Sequence, residues 1–313
     1  MLFRSNPIVH QPLGVKWDRN SCAYDAILGI LFNIWNEDHI SHSRLFRESW
    51  RLGPRLNAHF SKIKKKQAGF GSERNLIRIH IARLMGNNDV YGYNSLYDIL
   101  NFVFLRDTVF SITNVWCNKC SFRRRTQTGK STFMETSIAN AVFSYFSTPD
   151  ELLSQGTSSN VTLTSLLHLS LACSCLYSEC QNCKANCVAV TNYTRAPPLL
   201  CIPIHTEIYQ DIQVEETIRT DIFDENLHSY RLKGLIYFGH SHYTCRYIDC
   251  NRYVWYSDGL VSNGIFTNEG HMSSFQNGAL LNCRTMSLNA VIYLADPISP
   301  GISKKKKKIN EVP

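Results

Sequence analysis

The 313-residue chain has no apolar run near the ~18 residues that a membrane-spanning helix needs. Its first residues, M-L-F-R-S-N-P-I-V-H-Q, lack the apolar core of a secretion signal. No segment repeats, which excludes solenoids and propellers assembled from self-similar units. Charged residues make up 19% against 44% hydrophobic ones, the balance of a globular chain and not of a disordered one. With no sign of export, the chain is expected inside the cell, in cytoplasm or nucleus. There its twelve cysteines would serve as thiols or metal ligands, not as a disulfide framework.

A strongly basic folded surface is also missing from the totals. The formal charge is +8, but removing the run Lys304 to Lys308 leaves 28 basic against 25 acidic residues. A nucleic-acid partner is therefore not expected. The lysine run reads as a solvated tail, with a nuclear-import or polyanion-binding patch as the rival reading.

What is present begins with Trp17 to Trp35, W-D-R-N-S-C-A-Y-D-A-I-L-G-I-L-F-N-I-W. Apolar residues at Ala23, Ala26, Ile27, Ile30, Leu31, Ile34 and Trp35 follow the stripe of a core-facing helix. Asn20 or Ser21 is suited to cap its first turn with a side-chain oxygen. Cys22 then sits at the positive end of the helix dipole, among free N–H groups that favour a negatively charged sulfur. Taken alone, Cys22 reads as readily as a small buried apolar residue.

Four further helices are expected before residue 105: Ile40 to Leu52, Arg55 to Lys66, Arg74 to Met85 and Ser95 to Phe104. Gly53-Pro54 separates the first two, and Gly86-Asn87-Asn88 closes the third. From 108 the texture changes to strands: Thr108 to Trp116, Ser121 to Thr128, Val188 to Tyr193, Leu199 to His205, Ile208 to Val214, Tyr230 to Phe238, Tyr243 to Ile248, Tyr253 to Tyr256 and Ala290 to Leu294. Between them, Pro149 to Leu153 suits a helical turn and Leu163 to Leu171 is apolar. Helices first and antiparallel strands after define an α+β fold.

Two C-x-x-C pairs, Cys117/Cys120 and Cys180/Cys183, lie about sixty residues apart. Two such knuckles brought together form the closed Cys₄ set of a structural zinc. Cys173, Cys175 and Cys187 compete for places in it. A catalytic zinc is not expected, because it would keep an open position and use histidine or carboxylate.

The second chemical stretch is G-H-S-H-Y-T-C-R-Y-I-D-C-N-R-Y-V-W-Y-S-D-G, Gly239 to Gly259. Tyr243 to Ile248 and Tyr253 to Tyr256 suit a hairpin turned by Asp249 to Arg252. Its paired ends would bring His242 beside Asp258, the arrangement that orients a general base for a cysteine nucleophile. His240 is the competing base.

The combination resembles the ubiquitin-specific protease family of cysteine isopeptidases. N-S-C-A-Y-D-A-I-L looks like its Cys box, S-H-Y-T-C-R-Y with W-Y-S-D-G like its His box, and T-N-V-W-C-N-K-C with C-Q-N-C and A-P-P-L-L-C-I-P-I like its zinc-bearing fingers. The resemblance implies a papain-like thumb, fingers and palm. A lead-in of residues 1–14 would precede a catalytic domain of 15–295, with a thumb of 15–107, fingers of 108–190 and a β palm of 191–295. A flexible tail, 296–313, would follow. The start close to the Cys box suggests a piece of a longer protein.

The resemblance further implies Cys22 as nucleophile, His242 as base, Asp258 as orienter, and zinc on Cys117, Cys120, Cys180 and Cys183. The family's oxyanion asparagine lies several residues before its cysteine. Here that place falls near Trp17, so the oxyanion donor is Asn20 or the backbone N–H of Cys22. The tight W-Y-S-D-G ending is closer to a divergent branch that includes a SUMO isopeptidase, so ubiquitin and SUMO both stand as the modifier. Glu215, Glu216, Asp221, Asp224 and Glu225 are candidates to attract an arginine-bearing tail. The expected protein is a monomer that hydrolyses modifier–lysine bonds. The rival readings are an inactive ubiquitin-binding module and a zinc-containing nucleic-acid-binding protein.

Overall fold

The computed structural model describes residues 11–87, 89–104, 111–117, 119–128, 162–165, 167, 180–185, 187–193, 196–204, 212–221, 223, 226–276 and 278–296. Five helices come first: α1 (Cys22–Glu37), α2 (His39–Ser49), α3 (Gly53–Lys64), α4 (Phe70–Leu84) and α5 (Leu96–Val103). α1 is the hub. Every residue from Cys22 to Trp35 is buried, because α2 to α5 cover one side and the main sheet the other. Its apolar stripe is continued round by Leu28, Gly29 and Phe32, so the helix has no solvent face to advertise. An Ile30→Ala change would cost ~2–5 kcal/mol through lost burial and the cavity it leaves.

The boundaries differ from expectation where glycine and proline were read as separators. Gly53 and Pro54 open α3 instead of dividing two helices, since a proline in the first turn gives up no helical hydrogen bond. α4 begins four residues earlier than expected, at Phe70, whose ring anchors it against Phe32 in the core.

A three-stranded antiparallel sheet, β2-β1-β3, combines β1 (Ser111–Cys117), β2 (Arg123–Thr128) and β3 (Cys187–Tyr193). The main sheet has eight strands: β4 (Leu199–Pro203), β5 (Thr217–Thr220), β6 (His228–Gly239), β7 (His242–Ile248), β8 (Tyr253–Ser257), β9 (Thr267–His271), β10 (Asn282–Cys283) and β11 (Met286–Ala295). Its path is β10-β11-β6-β7-β8-β9, with β4 on β11 and β5 on β6, and each of these pairings is antiparallel. Both faces are buried. Leu199, Cys201, Ile236, Cys245, Ala290 and Ile292 face α1 and its neighbours, while Leu200, Ile202, Leu235, Tyr237, Val291 and Tyr293 enter a second core. That explains unbroken apolar runs such as Leu199–Pro203 in place of alternation. α1 presses tightly on β6 at Gly234, where an added Cβ would lie 2.6 Å from Ile30.

β5, β9 and β10 were not expected as strands, being short and polar. Of the expected strand Ile208–Val214, residues 212–214 make an isolated bridge, Gln213 with Thr162, and the rest lies outside the described residues. Also outside them lie Cys173, Cys175, Asp224, Glu225, the turn at Pro149–Leu153 and the Lys304–Lys308 run.

Candidate active site

Three elements converge at the start of α1. Cys22 is its first residue, and α1 packs directly on β7. The β6–β7 connection is a two-residue turn, His240-Ser241, with both φ angles positive at 52° and 58°, the geometry that matches strand twist. It delivers His242 as the first residue of β7, opposite Gly239, and leaves His240 exposed. On the other side of β7, Cys245 pairs with Ser257, which sets Asp258 level with Thr244. His242 and Thr244 share a strand face, so Asp258 reaches back to the imidazole.

The contact is direct: His242 Nε2 lies 2.9 Å from Asp258 Oδ1. The same oxygen accepts the backbone N–H groups of Leu260 (3.0 Å) and Val261 (3.3 Å), and the Tyr256 hydroxyl donates to Oδ2 at 3.4 Å. Asp258 is buried and held from several sides. With Nε2 committed to Asp258, Nδ1 is the ring nitrogen left for Cys22. Hydrogen bonding with Cys22 is the leading influence on the imidazole; with the Asp258 bond, and against burial, it raises the His242 pKa to about 9. Such an imidazole is a cation at neutral pH, placed to neutralise a sulfur anion and to donate a proton.

The loop before Cys22 is strained and clamped. Arg19 and Asn20 both adopt left-handed backbone, φ 43° and 59°, which costs of order 1 kcal/mol or more per non-glycine residue. α4 supplies the compensation. Buried Arg74 pairs with Asp25 and donates to Ser21 Oγ (2.8 Å) and the Lys16 carbonyl (3.2 Å). One turn on, buried Arg78 donates to the carbonyls of Asp18 (3.2 Å), Asn20 (3.5 Å) and Gly92 (3.3 Å) and lies over the rings of Tyr24 and Tyr91. Burial pushes the Asp25 carboxyl up to about 6 against the pull of Arg74. Gly259 closes the arrangement: its carbonyl accepts from Trp17 N at 2.9 Å, and a Cβ there would press on Val15 O and Trp17 N.

This network alters two expectations. Ser21 occupies the N-cap position but makes no side-chain cap, because its hydroxyl donates to Asp25 Oδ2 at 2.6 Å and accepts from Asp18 N and Arg74. The Asn20 amide donates to the Tyr91 carbonyl at 3.1 Å, tying the loop to the segment ahead of α5. Arg74, Arg78 and Asp25 were not singled out from the sequence. The available signal was two arginines, i and i+4, inside the apolar stripe Phe70, Ile77, Ile81 of α4.

The second cluster lies where β1 and β3 begin and end. Sγ atoms of Cys117, Cys120, Cys180 and Cys183 all lie within 4.8 Å of one another. Cys117–Cys183 are 3.4 Å apart and Cys120–Cys180 3.5 Å. A tetrahedron with ~2.3 Å metal–sulfur bonds has edges of about 3.8 Å, so the set fits a metal ion with little adjustment. Lys119 N–H donates to Cys117 Sγ at 3.3 Å and is the main cause of a lowered Cys117 pKa. Cys187, buried and paired across the strands with Cys117, lies beside the set without belonging to it.

Of the acidic candidates, Glu216 is paired with Arg252 at 2.5 Å and Glu215 accepts from Thr164 N at 2.7 Å. Both line a cavity of about 370 Å³ with Met272, Phe275 and Leu281.

No family model matches the sequence, and no curated protein does. The likeness is one of fold: the chain is built like structures of the SAGA DUB module. Against the Ubp8/Sgf11/Sus1/Sgf73 module bound to monoubiquitin the TM-score is 0.50 at 10% identity, covering 92% of this chain and 70% of that one. Against the module bound to ubiquitin aldehyde it is 0.51, with the same identity and coverage. Among the described residues, no helix is long and apolar enough to cross a membrane.

Proposed function

We propose that this protein is a thiol-dependent isopeptidase that cleaves the bond between the C-terminal glycine of ubiquitin, or a like modifier such as SUMO, and a lysine amine. The observation that carries the reading is the imidazole of His242, bonded at Nε2 to Asp258 and close enough to Cys22 for the thiol to be the leading influence on its pKa. The fold shared with structures bound to monoubiquitin and ubiquitin aldehyde supports the substrate class.

In this mechanism His242 already holds the proton of the Cys22–His242 pair, and the Cys22 sulfur attacks the glycine carbonyl carbon as an anion. The negative oxygen so formed faces the unpaired N–H groups of the first turn of α1, that of Cys22 foremost. With the Asn20 amide turned to Tyr91, the backbone is the better-supported donor. The carbon–nitrogen bond breaks as His242 returns its proton to the lysine nitrogen, leaving a thioester. Water, deprotonated by the now neutral His242, attacks the thioester carbon; the modifier leaves as a free acid and Cys22 is regenerated. Asp258 keeps the ring oriented throughout. Cys117, Cys120, Cys180 and Cys183 would hold a structural zinc, whose chemistry is to cross-link β1 to the segment leading into β3. The division into thumb, fingers and palm follows from the same reading.

Incubation with ubiquitin and SUMO probes carrying a C-terminal electrophile tests it. A covalent adduct with one of them, lost in Cys22→Ala, is the expected result. Absence of adduct and of cleavage with both modifiers would refute the assignment.

A further inference from the structure

Net charge averages over the chain and hides where the charge sits. Residues 39–85, covering α2 to α4, hold eleven lysines and arginines against two acids, Glu48 and Glu73, a net of +9. The rest of the chain holds 22 basic and 23 acidic residues. Both acids of the segment are engaged: Glu48 pairs with Arg44 at 3.0 Å, and buried Glu73 receives His59 and Lys62. Arg74 and Arg78 are consumed in holding the cysteine loop. The other nine basic residues are exposed.

Helical spacing gathers part of this charge on one face. Arg55, His59 and Lys62 follow i, i+4, i+7 on α3, and Leu76, His80 and Arg83 do so on α4. The two helices pack together, with Arg51 just ahead of α3. His80 registers the gathering: burial first, and then the charges of Arg55, Arg83, His59 and Arg51, hold its pKa below the ordinary value. α4 turns its opposite stripe, Arg74 and Arg78, to the cysteine loop, so this face and the candidate active site lie on opposite sides of one helix.

We propose that the α3–α4 face, centred on Arg55 and Arg83, docks the phosphate backbone of a nucleic acid. Two of its groups are guanidiniums, whose forked donors match phosphate oxygens. Arg55 to Lys62 extend over about 10 Å at helical rise, a length along which a duplex offers several phosphates. An acidic amphipathic helix would need an apolar groove and a membrane would need inserted apolar side chains. Among the described residues, Leu76, 48% exposed, is the single large apolar side chain on these two stripes. Docking here would hold the protein on nucleic acid, and it does not depend on the isopeptidase reading.

The test is fluorescence anisotropy of a labelled random-sequence DNA duplex and a labelled single-stranded RNA, titrated with the full-length Cys22→Ser protein. Binding to at least one of them is expected, with about four phosphate contacts giving roughly a hundredfold loss of affinity between ~50 and ~200 mM salt. The Arg55→Gln/Arg83→Gln protein should bind about tenfold more weakly and with a salt slope reduced by about two. Its thermal midpoint should be unchanged. No binding to either nucleic acid at low salt, or equal binding by the double variant, overturns the proposal. So does binding that vanishes on deleting Lys304–Lys308 alone, or binding seen only to polyglutamate or phosphatidylserine vesicles.

Discussion

Asp258 Oδ1 sits 2.9 Å from His242 Nε2 while also receiving the N–H groups of Leu260 and Val261. The carboxylate is thus locked by its own turn before it meets the imidazole. Asp258→Asn keeps the size but loses the charge and the fixed ring orientation. The variant should fold, form probe adduct slowly, and lose about a hundredfold in kcat/KM on a fluorogenic modifier substrate. Activity within a fewfold of the parent would remove Asp258 from the mechanism.

The pH profile follows from His242. Its pKa in the folded protein, about 9, lies above the ordinary 6.5, so the imidazolium persists through neutral pH. kcat/KM should decline on the alkaline side near pH 9, as the proton required by the leaving amine is lost. In Asp258→Asn that limb should move toward 6.5. Linkage gives a matching stability trend. The stabilisation from His242 is fully present below pH 6.5 and fades as pH rises through about 9, which a series of thermal midpoints will show.

Arg74 and Asp25 form a buried pair, and removing one partner strands the other. Arg74→Ala should destabilise the protein by ~3–5 kcal/mol. Arg74→Ala combined with Asp25→Ala should cost less than the two singles added, a coupling of at least ~1 kcal/mol by urea denaturation. Arg74→Lys, which keeps the charge but not the fork, should fold and show lowered kcat with KM little changed. Strict additivity in the cycle would show that the pair acts separately.

The four-cysteine cluster predicts one zinc per chain by elemental analysis of purified protein. Cys117→Ser or Cys180→Ser should lose the metal, and a strong chelator should lower the thermal midpoint of the parent while leaving that of either variant unmoved. A metal-free parent as stable as its chelator-treated form would refute the site.

The candidates Cys22, His242 and Asp258 were legible as separated motifs because each motif depends on local geometry. Cys22 heads a strongly patterned helix, and a hairpin with a short turn brings its own ends together. The C-x-x-C pairs were legible for the same reason, each knuckle being a local loop. The Ser21 cap was misread because its hydroxyl had a better acceptor four residues on, in Asp25, once Arg74 made that carboxylate tolerable inside the protein. The charged face of α3 and α4 was concealed by summation, since the total charge carries no information about which turns of which helices face outward.

Periodicity, composition and motif order were enough to determine α1, the helix-then-sheet organisation, each C-x-x-C knuckle and the hairpin that brings His242 to Asp258, all of which arise from interactions between near neighbours or from repeated local pattern. Only the tertiary structure decided how α4 reaches across to the cysteine loop. Arg74 and Arg78 lie more than fifty residues from the Lys16, Asp18 and Asn20 carbonyls they hold. A buried guanidinium declares its acceptors only when packing has excluded water and left it no others.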